Sequence, residues 1–310
     1  MTFHPAIIDE AMTAVCQSER FDSCDIIIGD NSCGKSFLLK KIVQHMESQG
    51  NIYFIDAVNR GFDVSKVIFD QMRPVSTKLV LSKRLSEMNF NIKDTFSCYG
   101  TDTERIEEMY PVYEEKVQEL FYKLTGDRFE IAASATLGEV VLNGEVACLS
   151  SGYQAMIRIL LELVFYTENC KENAWVVIDE IDECLSPKYA AEILNFLRRE
   201  FPGIHYIVAT HSVDLVVASE NARVIVLEKD TYQAVDADDL DNYRKVQRLF
   251  RSVFGTEEKM SDQTDTALRR LLNLKINDAW TEKDEEELKQ LQEKGLSASQ
   301  RLLCRQIEEW

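Results

Sequence analysis

The residues in this chain that could do chemistry form a short ordered series, beginning with Gly29-Asp30-Asn31-Ser32-Cys33-Gly34-Lys35-Ser36. Two glycines bracketing four residues and followed by Lys-Ser make a loop whose backbone amides can wrap phosphate oxygens. In such a loop Lys35 reaches the β- and γ-oxygens of a nucleotide, and the Ser36 hydroxyl takes Mg2+. A plain glycine turn that happens to contain Lys-Ser is the alternative. Its flanks argue against that, because an apolar run precedes it and a helical pattern follows. Next comes Trp175-Val176-Val177-Ile178-Asp179-Glu180, an apolar run ending in two carboxylates. Acids at the C-terminal edge of a buried strand lie where α/β sheets bind ligands. Asp179 is then expected to hold Mg2+ through its water shell, and Glu180 to orient and deprotonate an attacking water. A strand ending in Asp-Glu is common by itself; the upstream phosphate loop gives it meaning. Leu149-Ser150-Ser151-Gly152-Tyr153-Gln154 opens a helical stretch, and Ala209-Thr210-His211-Ser212 follows another apolar run.

The elements that must position these residues can be read from apolar periodicity. Residues 25–28 form a short buried strand feeding the loop, with a helix over 35–49 and a second buried strand over 51–57. Residues 103–124 have helical periodicity with acids on one face. Residues 128–147 hold two or three strands, with Asn143-Gly144 supplying a type I′ hairpin turn. A helix over 152–167, a strand over 174–178, a helix over 187–200 and strands over 204–209 and 223–227 complete the series. Strands alternating with helices indicate an α/β domain with a largely parallel central sheet. The β pattern stops near residue 235, and polar helices are expected over 238–254, 262–275, 282–294 and 298–310. The division is therefore 1–235 and 236–310. Asp236 and Asp238 form a DxD pair, but the tail lacks the βα repeats and upstream Glu of a metal nuclease, so helix capping is the reading.

Composition narrows the classes. Hydrophobic residues make up 45% of the 310 and only five are proline, as in an ordinary folded protein. A formal net charge of −18 argues against a basic coat for wrapping nucleic acid. Eight cysteines without a CxxC pair support neither a zinc site nor a disulfide framework. The first residues carry acids early and no apolar core, so no signal peptide is expected. The longest apolar stretch, Ile157–Phe165, is interrupted by Arg158 and Glu162, well short of the roughly 20 residues a membrane span needs. The expected compartment is the cytoplasm, with no membrane partner.

The order of phosphate loop, LSxG helix, Asp-Glu strand and strand-end histidine resembles the ABC-type ATPases, over roughly residues 20–230. That resemblance implies a P-loop NTPase head of mixed central sheet flanked by helices, followed here by an α-helical C-terminal region. It implies ATP and Mg2+ as cofactors, with nucleotide held by Gly29, Asp30, Asn31, Ser32, Cys33, Gly34, Lys35 and Ser36 and metal by Ser36 and Asp179. Lys35, Glu180 and His211 would be catalytic, His211 as sensor of the γ-phosphate. Ser150 and Gly152 would bind the γ-phosphate of the opposite subunit, making an ATP-dependent homodimer or higher homo-oligomer. Transporter subunits usually continue from Asp-Glu into Pro-Thr-Ser-Ala-Leu-Asp. Here residues 179–187 look like the DEPExxLHP pattern of the soluble SMC/RecF/OLD-like branch, with Leu185 and Pro187 matching and Ile181, Asp182 and Ser186 departing. That branch implies a compact ATPase serving bacterial anti-phage defence or DNA metabolism, with a separate effector or nuclease; nucleic acid is not indicated. A transporter nucleotide-binding subunit and an ATP-dependent scaffold are the alternatives. Ser151 and Tyr153 depart from LSGGQ. No clear Q-loop glutamine is present: Gln71 is one candidate, and Asn59-Arg60 is the alternative. Phe3 and Phe21 are candidates for stacking on adenine. Cys33 lies inside the loop, where amides and Lys35 would lower its pKa and make it sensitive to alkylation; the alternative is a small residue filling the turn.

Overall fold

The computed structural model describes residues 4–17, 24–47, 51–57, 61–69, 75–86, 106–132, 139–170, 174–240, 243–253, 263–276, 280–292, 304 and 307. Nine strands are described: β1 (Cys24–Gly29), β2 (Ile52–Asp56), β3 (Phe129–Ala132), β4 (Glu139–Leu142), β5 (Glu145–Val146), β6 (Ala174–Asp179), β7 (Ile204–Ala209), β8 (Ala222–Leu227) and β9 (Tyr232–Asp236). The helices are α1 (Pro5–Cys16), α2 (Lys35–Glu47), α3 (Thr77–Leu85), α4 (Tyr110–Thr125), α5 (Ser151–Asn169), α6 (Pro187–Glu200), α7 (Val213–Ala218), α8 (Tyr243–Val253), α9 (Gln263–Ile276) and α10 (Glu282–Gln292). Two compact units divide the chain, Met1–Val253 and Phe254–Trp310, so α8 groups with the first.

The central sheet has the order β2-β6-β7-β1-β8-β9. Its first five strands run parallel and β9 runs antiparallel to β8. This is the mixed α/β sheet expected of the fold class. Every residue of β1, β2 and β7 is buried, as a parallel sheet covered on both faces requires. On one face, Ile8, Ala11 and Val15 of α1 and Leu38, Leu39, Ile42 and Val43 of α2 close over Ile27, Phe54, Val177, Ile207 and Ile225.

Helix α5 is buried all round: each residue from Ala155 to Tyr166 is inside. Two of those residues, Arg158 and Glu162, are charged, and they are satisfied by each other and by partners far along the chain. The Glu162 carboxylate accepts from Arg84 Nη1 at 2.7 Å and Nη2 at 3.0 Å, from Arg158 Nε at 2.6 Å and from the Tyr53 hydroxyl at 3.0 Å. Arg158 also pairs with Glu107. Burial pushes the Glu162 carboxyl up, but the two guanidiniums outweigh it and hold it down at about 2. The network ties α3, β2 and α5 together where apolar packing alone would leave buried charge exposed to an apolar medium. At the start of β1, the buried Asp25 carboxylate takes Arg223 Nε at 2.6 Å and lies 2.9 Å from His205 Nε2.

A smaller antiparallel sheet, β3-β4-β5, carries the hairpin read from Asn143-Gly144. Both turn residues have the positive φ a type I′ turn demands, 52° and 87°. In the second unit, Leu268, Leu271, Leu288, Leu291, Cys304 and Ile307 form one apolar cluster. Of the helix expected over 298–310, Leu302, Leu303 and Trp310 lie outside the described residues. Four elements sit where no pattern was assigned, namely α1, α3, α7 and β9. Among the described residues no helix is long and apolar enough to cross a membrane.

Candidate functional site

Strands β2, β6, β7 and β1 are neighbours and parallel, so Asp56, Asp179, Ala209 and Gly29 end side by side at one edge of the sheet. Such an edge is where an α/β sheet presents its ligand-binding loops. Immediately after β1 the chain turns through Ser32 and Gly34 at φ 66° and 106°, then enters α2 at Lys35. Turns of this kind aim successive amides into a concavity suited to an anion at a helix N-terminus. Lys35 is buried at 6% exposure, and its Nζ donates to the carbonyls of Gly29 (2.8 Å) and Asp30 (3.3 Å). The cation is thereby held across the loop. Asn31 N donates to Asp30 Oδ1 at 2.7 Å.

Gly29 is dictated by space: a Cβ there would lie 2.4 Å from the carbonyl oxygen of Leu227 on β8 and 2.6 Å from Cys33 Sγ. Cys33 decides between the two readings that its place in the loop left open. It is 1% exposed, and burial pushes its thiol up in spite of Lys35 and the loop amides. The thiol fills the turn and is not an activated thiolate.

Asp179 ends β6 beside Ser36, whose side chain hydrogen-bonds its carboxylate. Burial, foremost, pushes the Asp179 carboxyl up to about 7; the Ser36 bond opposes this, and the charges of Asp56 and Glu180 add to it. Its Oδ1 is buried with no hydrogen-bond partner. A buried, unsatisfied carboxylate oxygen next to a serine hydroxyl is the donor set a hard divalent cation completes, so these residues fit Mg2+.

Glu180 follows at φ 49°, a left-handed turn that carries its side chain out of the strand, and its Oε1 lies 3.6 Å from His211 Nε2. His211 stands just past β7, and its neighbour Thr210 is clamped. The Thr210 hydroxyl donates to Asp182 and accepts from Ser212 N at 2.9 Å. Ile181 N donates to Ala209 O at 3.2 Å. Thr210 and Asp182, unremarked in the sequence for this role, thus fasten the loop after Glu180 to the loop bearing His211.

Ser150 is the N-cap of α5, its Oγ accepting from Tyr153 N at 3.2 Å. Gly152 is again a matter of space, since a Cβ would come 2.8 Å from the carbonyl oxygen of Cys184. Residues 153 and 154 are anchored by distant partners: Phe62 N donates to Gln154 O at 3.1 Å, and the Tyr153 hydroxyl donates to Asp127. The structure thus sets Asp179 within reach of the Lys35 charge and Glu180 beside His211, and packs the first turn of α5, with Gly152, against Cys184 in the loop after Glu180. Phe3, Phe21, Asn59, Arg60 and Gln71 lie outside the described residues. Asp56 escaped the sequence reading; the available signal was that the apolar run 52–55 ends in an acid as 174–178 does.

No family model matches the chain. Septu protein PtuA of Bacillus mycoides (strain KBAB4) is 30% identical over 176 residues, which is 54% of this chain and 25% of that protein. Septu protein PtuA of Bacillus thuringiensis is 26% identical over 157 residues, 46% of this chain and 39% of that protein. The chain thus spans well under half the length of these curated relatives. Among solved structures, cbiO1 from Clostridium perfringens, part of the ABC transporter complex cbiONQ, is 18% identical over 74% of this chain and 83% of its own, with a TM-score of 0.39. That superposition is too loose to bear on function.

Proposed function

We propose that the chain is an ABC-type ATPase of the SMC-like branch, which binds ATP with Mg2+ at Gly29–Ser36 and hydrolyses it between two copies of itself. The observation that carries this reading is the buried Asp179 Oδ1, left without a hydrogen-bond partner at the end of β6, next to the strand β7 that neighbours the root of the phosphate loop. Ser36 and Asp179 would hold Mg2+, which would supply positive charge to offset the charge that develops on the phosphate oxygens. The loop amides and the α2 N-terminus bind and orient the phosphates, with Lys35 releasing the Gly29 and Asp30 carbonyls toward them. Glu180 holds the attacking water and accepts its proton. His211, 3.6 Å from Glu180, fixes the orientation of that base and faces the γ-phosphate. The capped N-terminus of α5, with Ser150 and Gly152, supplies amides and a positive dipole end to an anion on a second chain.

The wider role we assign is that of a cytoplasmic, ATP-switched component of bacterial anti-phage defence or DNA metabolism, acting with a separate effector or nuclease. It is supported by the resemblance of residues 179–187 to the soluble branch and by the likeness to the two Septu proteins. The test is light scattering of Glu180→Gln, which keeps Asp179 and should trap bound ATP. With ATP and Mg2+ its molar mass should double, and adding Ser150→Arg should abolish the doubling while nucleotide affinity in the monomer persists. Unchanged mass together with hydrolysis independent of protein concentration rules out the two-chain site.

A further inference from the structure

Tyr153 stands where the LSGGQ pattern has glutamine, in the first turn of α5, and the hydrolysis scheme gives it no part. Its backbone N–H is spent on the Ser150 cap, and its side chain reaches three other elements. The ring meets Phe121 of α4 edge-on, with centroids 5.0 Å apart and planes at 90°, and meets Tyr189 of α6 at 6.5 Å and 64°. The hydroxyl donates to the Asp127 carboxylate, just beyond the C-cap Gly126 of α4, and a side-chain hydrogen bond joins it to Tyr189. Asp127 Oδ1 in turn accepts from Asn143 Nδ2 at 2.9 Å. The Tyr153 hydroxyl first, and the Asn143 amide after it, hold the Asp127 carboxyl below the usual carboxylate range, so both bonds end on a charged acceptor. Asn143 is itself held: it opens the hairpin turn at φ 52°, its N–H donates to the Arg128 carbonyl at 2.8 Å, and its Oδ1 accepts from Arg128 N at 2.9 Å. A line of hydrogen bonds thus runs from the first turn of α5 to the turn of the antiparallel sheet. Packing at this place needs the aromatic ring but not the hydroxyl, Asp127 or Asn143. What the polar line adds is a fixed orientation for the turn that carries Ser150 and Gly152.

We propose that Tyr153 and Asp127 are positioning residues of the composite site: their hydrogen bond, braced by Asn143, sets the first turn of α5 so that Ser150 and Gly152 meet the nucleotide of a second chain. This rests on the two-chain reading of hydrolysis. A displacement of about 1 Å in a group that orients the reacting anion can cost about a hundredfold in rate, which is the margin such a brace protects.

The test adds Tyr153→Phe to Glu180→Gln and measures, by light scattering well below either denaturation midpoint, the protein concentration at which ATP with Mg2+ doubles the molar mass. Phenylalanine keeps the ring contacts and loses the bond. Half-assembly should then need at least tenfold more protein, while affinity for a fluorescent ATP analogue in the dilute monomer is unchanged. A merely structural tyrosine would not produce that split. In the otherwise native chain, Tyr153→Phe should likewise need at least tenfold more protein for half-maximal hydrolysis. Asp127→Ala should weaken assembly at least as much, and the double variant no further than Asp127→Ala alone, since one bond is broken only once. Assembly of Tyr153→Phe at the parent's concentration overturns the proposal, as do losses that add in the double variant or an equal loss of ATP affinity in the monomer. Should Asp127→Ala fail to fold, Tyr153→Phe decides alone. If Glu180→Gln itself does not assemble with ATP and Mg2+, the two-chain reading falls and takes the proposal with it. If it assembles and Tyr153→Phe assembles as readily, only the positioning role falls.

Discussion

Replacing Asp179 with asparagine should make the metal-free protein more stable while destroying its metal site. Asp179 is 4% exposed, and burial raises its carboxyl from 3.8 to about 7. A carboxyl raised on folding carries an unfavourable contribution that is absent below pH 3.8, grows as pH rises, and is complete above about 7. At about 1.4 kcal/mol per pH unit, the full penalty is on the order of 4 kcal/mol, of which roughly a third is already present at pH 5. Asparagine has the same shape and no charge, so it removes the penalty. The variant should therefore gain stability over the native chain by about 1.5 kcal/mol at pH 5 and by about 4 kcal/mol at pH 8. Guanidinium titrations followed by circular dichroism, in chelator at both pH values, measure this. Mg2+ with ATP should reverse the order at pH 8, because only the native carboxylate gains from the cation. Native and variant stabilities that stay parallel from pH 5 to pH 8 would refute the burial argument.

Three further outcomes are expected. Lys35→Ala should lower ATP affinity at least tenfold by calorimetry, because a bound triphosphate loses the buried ammonium that spans the loop. Glu162→Gln leaves Arg84 and Arg158 buried against a neutral amide and should destabilise the fold by about 3–5 kcal/mol at pH 7, read as a lower denaturation midpoint. The native carboxylate's contribution is present above pH 4.5 and lost only as pH falls toward about 2, so the gap between the two proteins should close in strong acid. Gly152→Ala forces a methyl toward the Cys184 carbonyl, costing about 1–3 kcal/mol of stability, and should cut hydrolysis while ATP affinity in the monomer holds.

Much of the fold was legible because the parallel strands are short unbroken apolar runs, Ile26–Ile28, Ile52–Ile55 and Trp175–Ile178, each ending at a chemically marked residue. The Asn143-Gly144 turn was legible because both positions need positive φ. What stayed hidden depends on partners distant in sequence. Helix α3 buries Arg84, a residue that reads as solvent-facing until Glu162 is brought against it. Strand β9 is an edge strand with most of its residues exposed or half-buried, so its side chains carry no apolar alternation to read. Asp56 is one acid among many until the β2–β6 register sets it beside Asp179. Cys33 kept two readings open because its positive neighbours are visible in the motif, whereas the burial that outweighs them comes from its place in the core cluster.

The two glycines that space alone dictates show how neighbouring segments of the domain bear on one another. Gly29 lets β8 press its Leu227 carbonyl against the root of the phosphate loop, so that loop is braced by the sheet. Gly152 lets the first turn of α5 press against Cys184, in the loop that begins at Glu180. That loop is set by two residues in left-handed conformation, Glu180 at φ 49° and Cys184 at φ 65°, and is pinned to the His211 loop through Asp182 and Thr210. Non-glycine residues in that region are held by their surroundings and not by their own preference. On the proposed reading, an anion from a second chain docking at Ser150 and Gly152 therefore pushes on a segment whose other end carries the catalytic base. A rigid strand end would not transmit that displacement; a short, strained and doubly pinned loop can. The base would then be set for hydrolysis only when the partner's nucleotide is in place, which makes turnover follow assembly.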